Sequence, residues 1–350
     1  MNIKKNSLNP WLNIGLFLCL LTIISCGSNE RKDIPDVSEV QVKLNVQRFE
    51  QELFNLDSNN LQTEVQALNE KYGYFADLYF SEIMRFKPLH DSAFDYLNTV
   101  NGFINYPSIR TLYDTCQLVY GDFSEVEKDL TSAFQFYKYH FPEKPIPKIT
   151  TFISEYGVAI ASVDETEVVI GLDMFLGADY QPYYYPPVQL PNYITQTLDQ
   201  KHITPKVMEA LARDIVGVNE KNRLIDFMVH NGKALYLLDL FQPYIEDNLR
   251  LGITPKQSDW LYANEAEMWK TVFIDNLYET KLKKNGLLGL VEVAPTSPGM
   301  PRESPGNAGS WVGWQIVKGY MENNPNMTLK QLLQEKDAQK ILQGSSYRPR

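Results

Sequence analysis

The chain has 350 residues, 44% of them hydrophobic, and 43 acidic side chains outnumber 33 basic ones for a formal net charge of −10. This balance excludes nucleic acid as a partner, because neutralising phosphate requires a basic patch, and it supplies enough apolar residues for a sizeable core. Three cysteines in so long a chain exclude a disulfide framework.

At the N-terminus, Lys4 and Lys5 precede a nearly unbroken apolar stretch from Ile14 to Ile24, the layout of an export signal. A membrane-spanning helix needs about 20 apolar residues, whereas this stretch stops at Ser25-Cys26-Gly27 and yields to the polar run Ser28 to Asp33. Ile23-Ile24-Ser25-Cys26 resembles a lipobox. Residues 1–25 are therefore expected to be a removed signal peptide, and Cys26 is expected to carry a diacylglycerol and an N-acyl chain that hold the protein to a membrane. With Cys19 lost and Cys26 modified, Cys116 has no partner. Residues 26–40, polar and containing Pro35, read as a flexible tether. No charge block or low-complexity linker divides residues 41–350, which read as one globular domain.

The domain opens with Val42, Leu44 and Val46 alternating with polar residues, the period of a half-buried strand. From Arg48-Phe49 to about His140, apolar residues recur at three- and four-residue spacing, as in Leu61, Val65 and Leu68 or Val126, Leu130 and Phe134, and predict helices. Ile146–Ile153, Tyr156–Ala161 and Glu167–Leu172 are β-rich, and three short strands in series predict a meander, with Asp164-Glu165-Thr166 as a hairpin turn. Helical sequence resumes after a loop rich in proline and tyrosine from Tyr180 to Pro191. Ile203-Thr204-Pro205-Lys206 and Ile253-Thr254-Pro255-Lys256 both place threonine as an N-cap and proline at the first helical position, and Gln257 completes a capping box with Thr254. Ala294 to Gly309 is a long loop dense in proline and glycine. Thr328 with Gln331 caps a final helix running to about Leu342. The order of elements predicts an α+β fold, mainly helical, with a small sheet of three to four strands.

Chemical motifs are sparse. His90, His140, His202 and His230 include no pair at the i, i+4 spacing that places two zinc ligands on one helix face. There is no Gly-x-Ser-x-Gly elbow, no local signature around Cys116 and no phosphate-cradling glycine loop. Acidic pairs such as Asp164 with Glu165 or Glu265 with Glu267 suit glycoside chemistry only in principle. No cofactor is expected. Tyr183, Tyr184 and Tyr185 offer a flat amphipathic surface for a peptide or glycan, or else wedge their loop against the helices, which is the more common use of such rings.

Several longer stretches carry a resemblance. Val42 to Phe49, Val169 to Gly177, Pro191 to Ile194, Ser304 to Val317 and Ile341 to Pro349 together resemble the gliding-motility lipoprotein GldB family of the Bacteroidetes, over nearly the whole expected mature chain. That family is in turn distantly similar to zinc-dependent peptidases, in which a small sheet precedes a helix bearing His-Glu-x-x-His and a later helix supplies an acidic ligand. The resemblance thus implies a zincin-like architecture. Here the helix Val207–Val216 has no histidine, and His230-Asn231-Gly232-Lys233 places Asn231 where an acid is expected, so the implied protein is a degenerate metallopeptidase, not an enzyme. Its groove would draw on Tyr183, Tyr184, Tyr185, Asp214, His230 and Asn231, rimmed by the loop Ala294 to Gly309. The function implied is a role in the cell envelope connected with gliding motility and the type IX secretion apparatus, through binding a peptide or an envelope protein. Gly27 after the lipidated cysteine points to the outer rather than the inner membrane. The alternative is an envelope hydrolase, acting on peptide or glycan through an unrecognised acidic site that includes Asp173 or Asp214.

Overall fold

A computed structural model describes residues 34–86 and 93–349. The expected signal peptide and Cys26 lie outside the described residues. Val37–Arg350 form one compact unit, distinct from Met1–Asp36.

Strand β1, Val46–Arg48, is shorter than the alternation that announces it. Val42 and Leu44 do pack half-buried against the core while Lys43 and Asn45 are exposed. The ladder begins only at Val46, opposite Ile149, because its partner strand starts at Lys148. Arg48 closes the strand. Its Nε donates to Glu50 Oε1 at 2.8 Å and to Thr151 Oγ1 at 3.0 Å, and its Nη2 donates to the Tyr120 carbonyl at 2.8 Å. Glu50 is fully buried, and these partners are what make a buried carboxylate tolerable.

The helical run predicted between the strands is present. It comprises α1 Phe49–Phe54, α2 Leu61–Tyr72, α3 Tyr74–Leu78 continuing into a π turn Tyr79–Ile83, α4 Ala93–Asn105, α5 Pro107–Tyr120 and α6 Ser124–His140. Phe49 is the hub of this part of the core, edge-on to Tyr72, Phe75 and Tyr79 at centroid distances of 4.9, 5.1 and 4.7 Å.

The sheet then adds β2 Lys148–Phe152, β3 Ile160–Asp164 and β4 Glu167–Gly171. The order is β1-β2-β4-β3, with β2 parallel to both β1 and β4 and with β3 antiparallel to β4. The predicted hairpin at Asp164-Glu165-Thr166 is there, whereas the meander is not. Every residue of β4 is buried, so Val168-Val169-Ile170 need cover on both faces and a central place. The more polar β3, which carries Ser162 and a register shift before Asp164, takes the edge.

After the tyrosine loop come α7 Asn192–Thr195 and α8 Ile203–Val216. Thr204 is not the N-cap of α8. A 3₁₀ turn, Gln200–His202, runs directly into the helix, which starts one residue before Thr204, and Pro205 still falls in the first turn, where a missing N–H costs nothing. Helices α9 Leu224–Phe241, α10 Asp247–Leu251 and α11 Pro255–Ala263 follow, and α11 has the predicted box, with Gln257 N donating to Thr254 Oγ1 at 3.2 Å. Short helices α12 Glu265–Met268 and α13 Ile274–Asn276 lead to the proline- and glycine-rich loop, after which α14 spans Ala308–Asn323. The single final helix is in fact two, α15 Leu329–Gln334 and α16 Ala338–Ser345. Glu335 takes extended backbone, and Asp337 opens a new helix by accepting from Gln339 N at 3.0 Å.

The centre of this half is the crossing of α9 with α14. A β-carbon on Gly232 would lie 2.3 Å from the Gly313 carbonyl carbon, and one on Gly313 would lie 1.7 Å from the Met228 oxygen. The two glycines therefore set how closely the helices approach, and Trp311 and Trp314 are buried on either side of Gly313 in the sequence. Within the segment Ser304 to Val317, which carries much of the family resemblance, these residues serve packing.

Candidate functional site: a charge-lined cleft

Helices α8 and α9, the segments around α7 and α10, and the loop before α14 line a cleft of about 210 Å³. On α8, Lys206, Glu209 and Arg213 all reach it, at i, i+3 and i+7 spacing along one helix face. Arg213 grips Glu209 through Nε at 3.0 Å and Nη2 at 2.7 Å. Burial pulls the Lys206 ammonium below the ordinary lysine range, with the Glu209 charge opposing. A cation held in this environment gains from any anion brought beside it.

Asn231 and Leu235, one turn apart on α9, complete that side. Asn231 is buried, and its Nδ2 donates to the Val291 carbonyl at 2.8 Å and to Ser310 Oγ at 2.8 Å. One amide thus joins α9 to Val291, just ahead of the proline- and glycine-rich loop, and to the first turn of α14. Ser310 Oγ in turn donates to Asn307 Oδ1. The loop is held in place by its own buried serines: Ser297 Oγ donates to the Pro305 carbonyl at 2.8 Å and accepts from Ala308 N at 3.2 Å. Ala294, Pro295, Pro305, Gly306 and Asn307 of this loop, with Val293 just before it, line the cleft. Arg250 also lines it, its side chain fully buried, with Nη2 3.0 Å from Asp239 Oδ1 and with its guanidinium over the Trp314 ring.

The other residues grouped with Asn231 do not converge on it. His230 lies in a separate depression, because successive helical residues point about 100° apart. Asp214, adjacent to Arg213, is exposed beside Asp164 and Glu165, outside the cleft for the same reason. Tyr183 is fully buried, donating from Oη to the Asp173 carbonyl at 2.7 Å and accepting from Leu176 N at 3.0 Å. Tyr184 is tied to the Ala178 carbonyl at 2.5 Å and Thr195 Oγ1 at 3.0 Å. These two rings wedge their loop, and of the three tyrosines only Tyr185 is exposed. Asp173 is wholly buried, accepting from Ser154 N at 3.1 Å and Tyr156 N at 2.5 Å, and burial pushes its carboxyl up to about 6 against those hydrogen bonds. It anchors the loop between β2 and β3.

Among the described residues, no three His, Cys, Asp or Glu side chains converge in a way that would hold a metal ion. The cleft does not fit zinc: α8 contributes two cations and a carboxylate already gripped by Arg213, and His202 Nδ1 is taken by Asp199 Oδ1 at 2.6 Å. Lys206, Glu209 and Arg213, absent from the residues expected to form a groove, stand on the helix that lacks histidine. Their signal was present, as a charged line on a helix otherwise apolar on its inner face.

These features define a class: a mainly helical α+β domain with a charge-lined cleft held in shape by a proline- and glycine-rich loop. Residues 30–349 match the family described as Gliding motility protein GldB, and the chain belongs to that family. At family level it is a gliding-motility lipoprotein. No curated protein and no solved structure matches the chain. Among the described residues, no helix is long and apolar enough to cross a membrane.

Proposed function

We propose that the chain is a lipid-anchored, non-catalytic envelope protein whose cleft takes an extended segment of a partner protein of the gliding and type IX secretion machinery. The lipid on Cys26 holds the domain at the outer membrane, and the cleft does the binding. The observation that carries this reading is the lining itself. Lys206 and Arg213 stand beside Leu235, Leu249, Leu251 and Ile253, a mixture suited to a peptide with acidic and apolar side chains. The idea of a peptidase that has lost its chemistry draws support from α8, which follows the sheet and turns cations rather than histidines to the cleft. A hydrolase built on Asp173 or Asp214 has less support, since one carboxylate is sealed in the core and the other lies outside the cleft.

The test is photo-crosslinking in cells. Benzoylphenylalanine at Gln257, a cleft residue, is expected to give an adduct with a discrete envelope protein, and adding Arg213→Glu is expected to abolish it. The same probe at Asp214 is the control. Equal adducts at both positions, or an adduct indifferent to Arg213→Glu, would refute cleft binding.

A further inference from the structure

We infer that the depression beside His230, distinct from the cleft, is a binding site for a phosphate-type oxyanion. It is a small cavity of about 60 Å³ between the connection from α8 to α9, the outer side of α9 and the segment joining α15 to α16. Lys221, Lys233, Lys336 and His230 all line it. The carboxylates nearby are mostly engaged elsewhere. Asp226 is held by Arg223 through Nε at 2.8 Å and Nη2 at 2.7 Å, and Glu335 is bound by Lys340 and by Asp337 N at 2.9 Å. Glu220, on the exposed connection, is the remaining acid.

The donors in the cavity are underused. Lys233 is only 5% exposed, yet its Nζ meets a single protein acceptor, the Glu335 carbonyl at 2.6 Å. Lys221 Nζ has the Lys336 carbonyl at 2.7 Å. Asn219 Nδ2, also lining the cavity, is buried with no acceptor at all. A buried donor without a partner is costly, and an oxyanion with several acceptor oxygens would satisfy Asn219 Nδ2 and the spare ammonium hydrogens together. Electrostatics agree with the geometry. Burial and the Lys336 charge bring Lys233 down to about 8, and His230 is lowered by burial and then by Lys233, Arg213 and Lys336. Lys233 and Lys336 repel one another, and the Glu335 charge opposes that only in part. Free phosphate and the headgroup of an anionic phospholipid share the required chemistry.

The experiment titrates inorganic phosphate into the purified full chain, with chloride at equal ionic strength as control, reading thermal stability and the titration of Lys233 by NMR of labelled lysine. Saturable stabilisation by phosphate and an upward movement of the Lys233 titration are expected. Lys336→Ala, a change at an exposed position, is expected to weaken binding about tenfold, the loss typical of one charge-assisted hydrogen bond. Lys233→Met, which keeps the apolar stem, is expected to abolish it. A second arm compares phosphatidylcholine vesicles with and without phosphatidic acid. Preference for phosphatidic acid that Lys336→Ala removes assigns a lipid headgroup, whereas phosphate binding without that preference assigns free phosphate. No effect of phosphate beyond chloride, or binding unchanged in both variants, overturns the site.

Discussion

His140 ends α6 with its Nε2 buried and without a hydrogen-bond partner, and burial pushes its imidazolium down to about 4. In the unfolded chain a histidine titrates near 6.5. The folded-state value is the depressed one, so this residue's contribution is intact above about pH 6.5 and is lost as pH falls towards 4, where the unfolded chain takes up the proton first. The loss is on the order of 2 kcal/mol once partial exposure is allowed for. His140→Leu is expected to flatten stability between pH 7 and 4.5, as measured by urea unfolding at the two values. Asp173 has the opposite sign, because its raised folded-state value makes stability fall as pH rises from about 4 to about 6. Asp173→Ala strands the Ser154 and Tyr156 amides and should cost about 3 kcal/mol, while leaving the Gln257 adduct in place. Loss of that adduct in a folded Asp173→Ala protein would restore the carboxylate as a functional group.

Between elements, the α9–α14 crossing is the least forgiving contact. Gly313→Ala would drive a methyl into the Met228 carbonyl, and neither helix can retreat without unseating Trp311 and Trp314. A loss of about 3 kcal/mol or more is expected on thermal unfolding, against about 1 kcal/mol for Thr254→Ala, which removes only an N-cap. The two cases also separate what was legible. The box of Thr254 and Gln257 is local, spanning four residues, and was readable from them. Gly232 and Gly313 are 81 positions apart in the numbering, and nothing around either one names the other. Strand order behaved in the same way. The strands themselves showed in composition, but whether β3 or β4 lies beside β2 depends on which can bear burial on both faces, and that is settled only when helices cover the sheet.

For the whole molecule, the cleft depends on a buried charge cluster. Arg250 is ion-paired with Asp239 and Asp247 and stacked over Trp314, and it lines the cleft as well. Removing one member of such a cluster leaves a buried charge uncompensated, at a cost of about 3–5 kcal/mol. Asp239→Ala is therefore expected to lower stability by that amount and to weaken the Gln257 adduct through loss of cleft shape. Arg213→Glu is expected to do the converse, keeping the unfolding transition within about 0.5 kcal/mol because the residue is exposed, yet abolishing the adduct and colony spreading. Spreading retained with the adduct lost would separate the cleft from motility.

The sequence by itself determined the class of fold, the approximate strands and helices, and membership of the family, because each is written in local pattern or in contiguous segments. It also pointed to Asn231 and to the loop Ala294 to Gly309. The tertiary structure alone decided that Asn231 and His230, neighbours in the chain, serve different cavities, that Tyr183 belongs to the core, and that Lys206, Glu209 and Arg213 share a cleft with residues from distant segments. Helical geometry turns adjacent side chains apart, and burial depends on which surfaces meet.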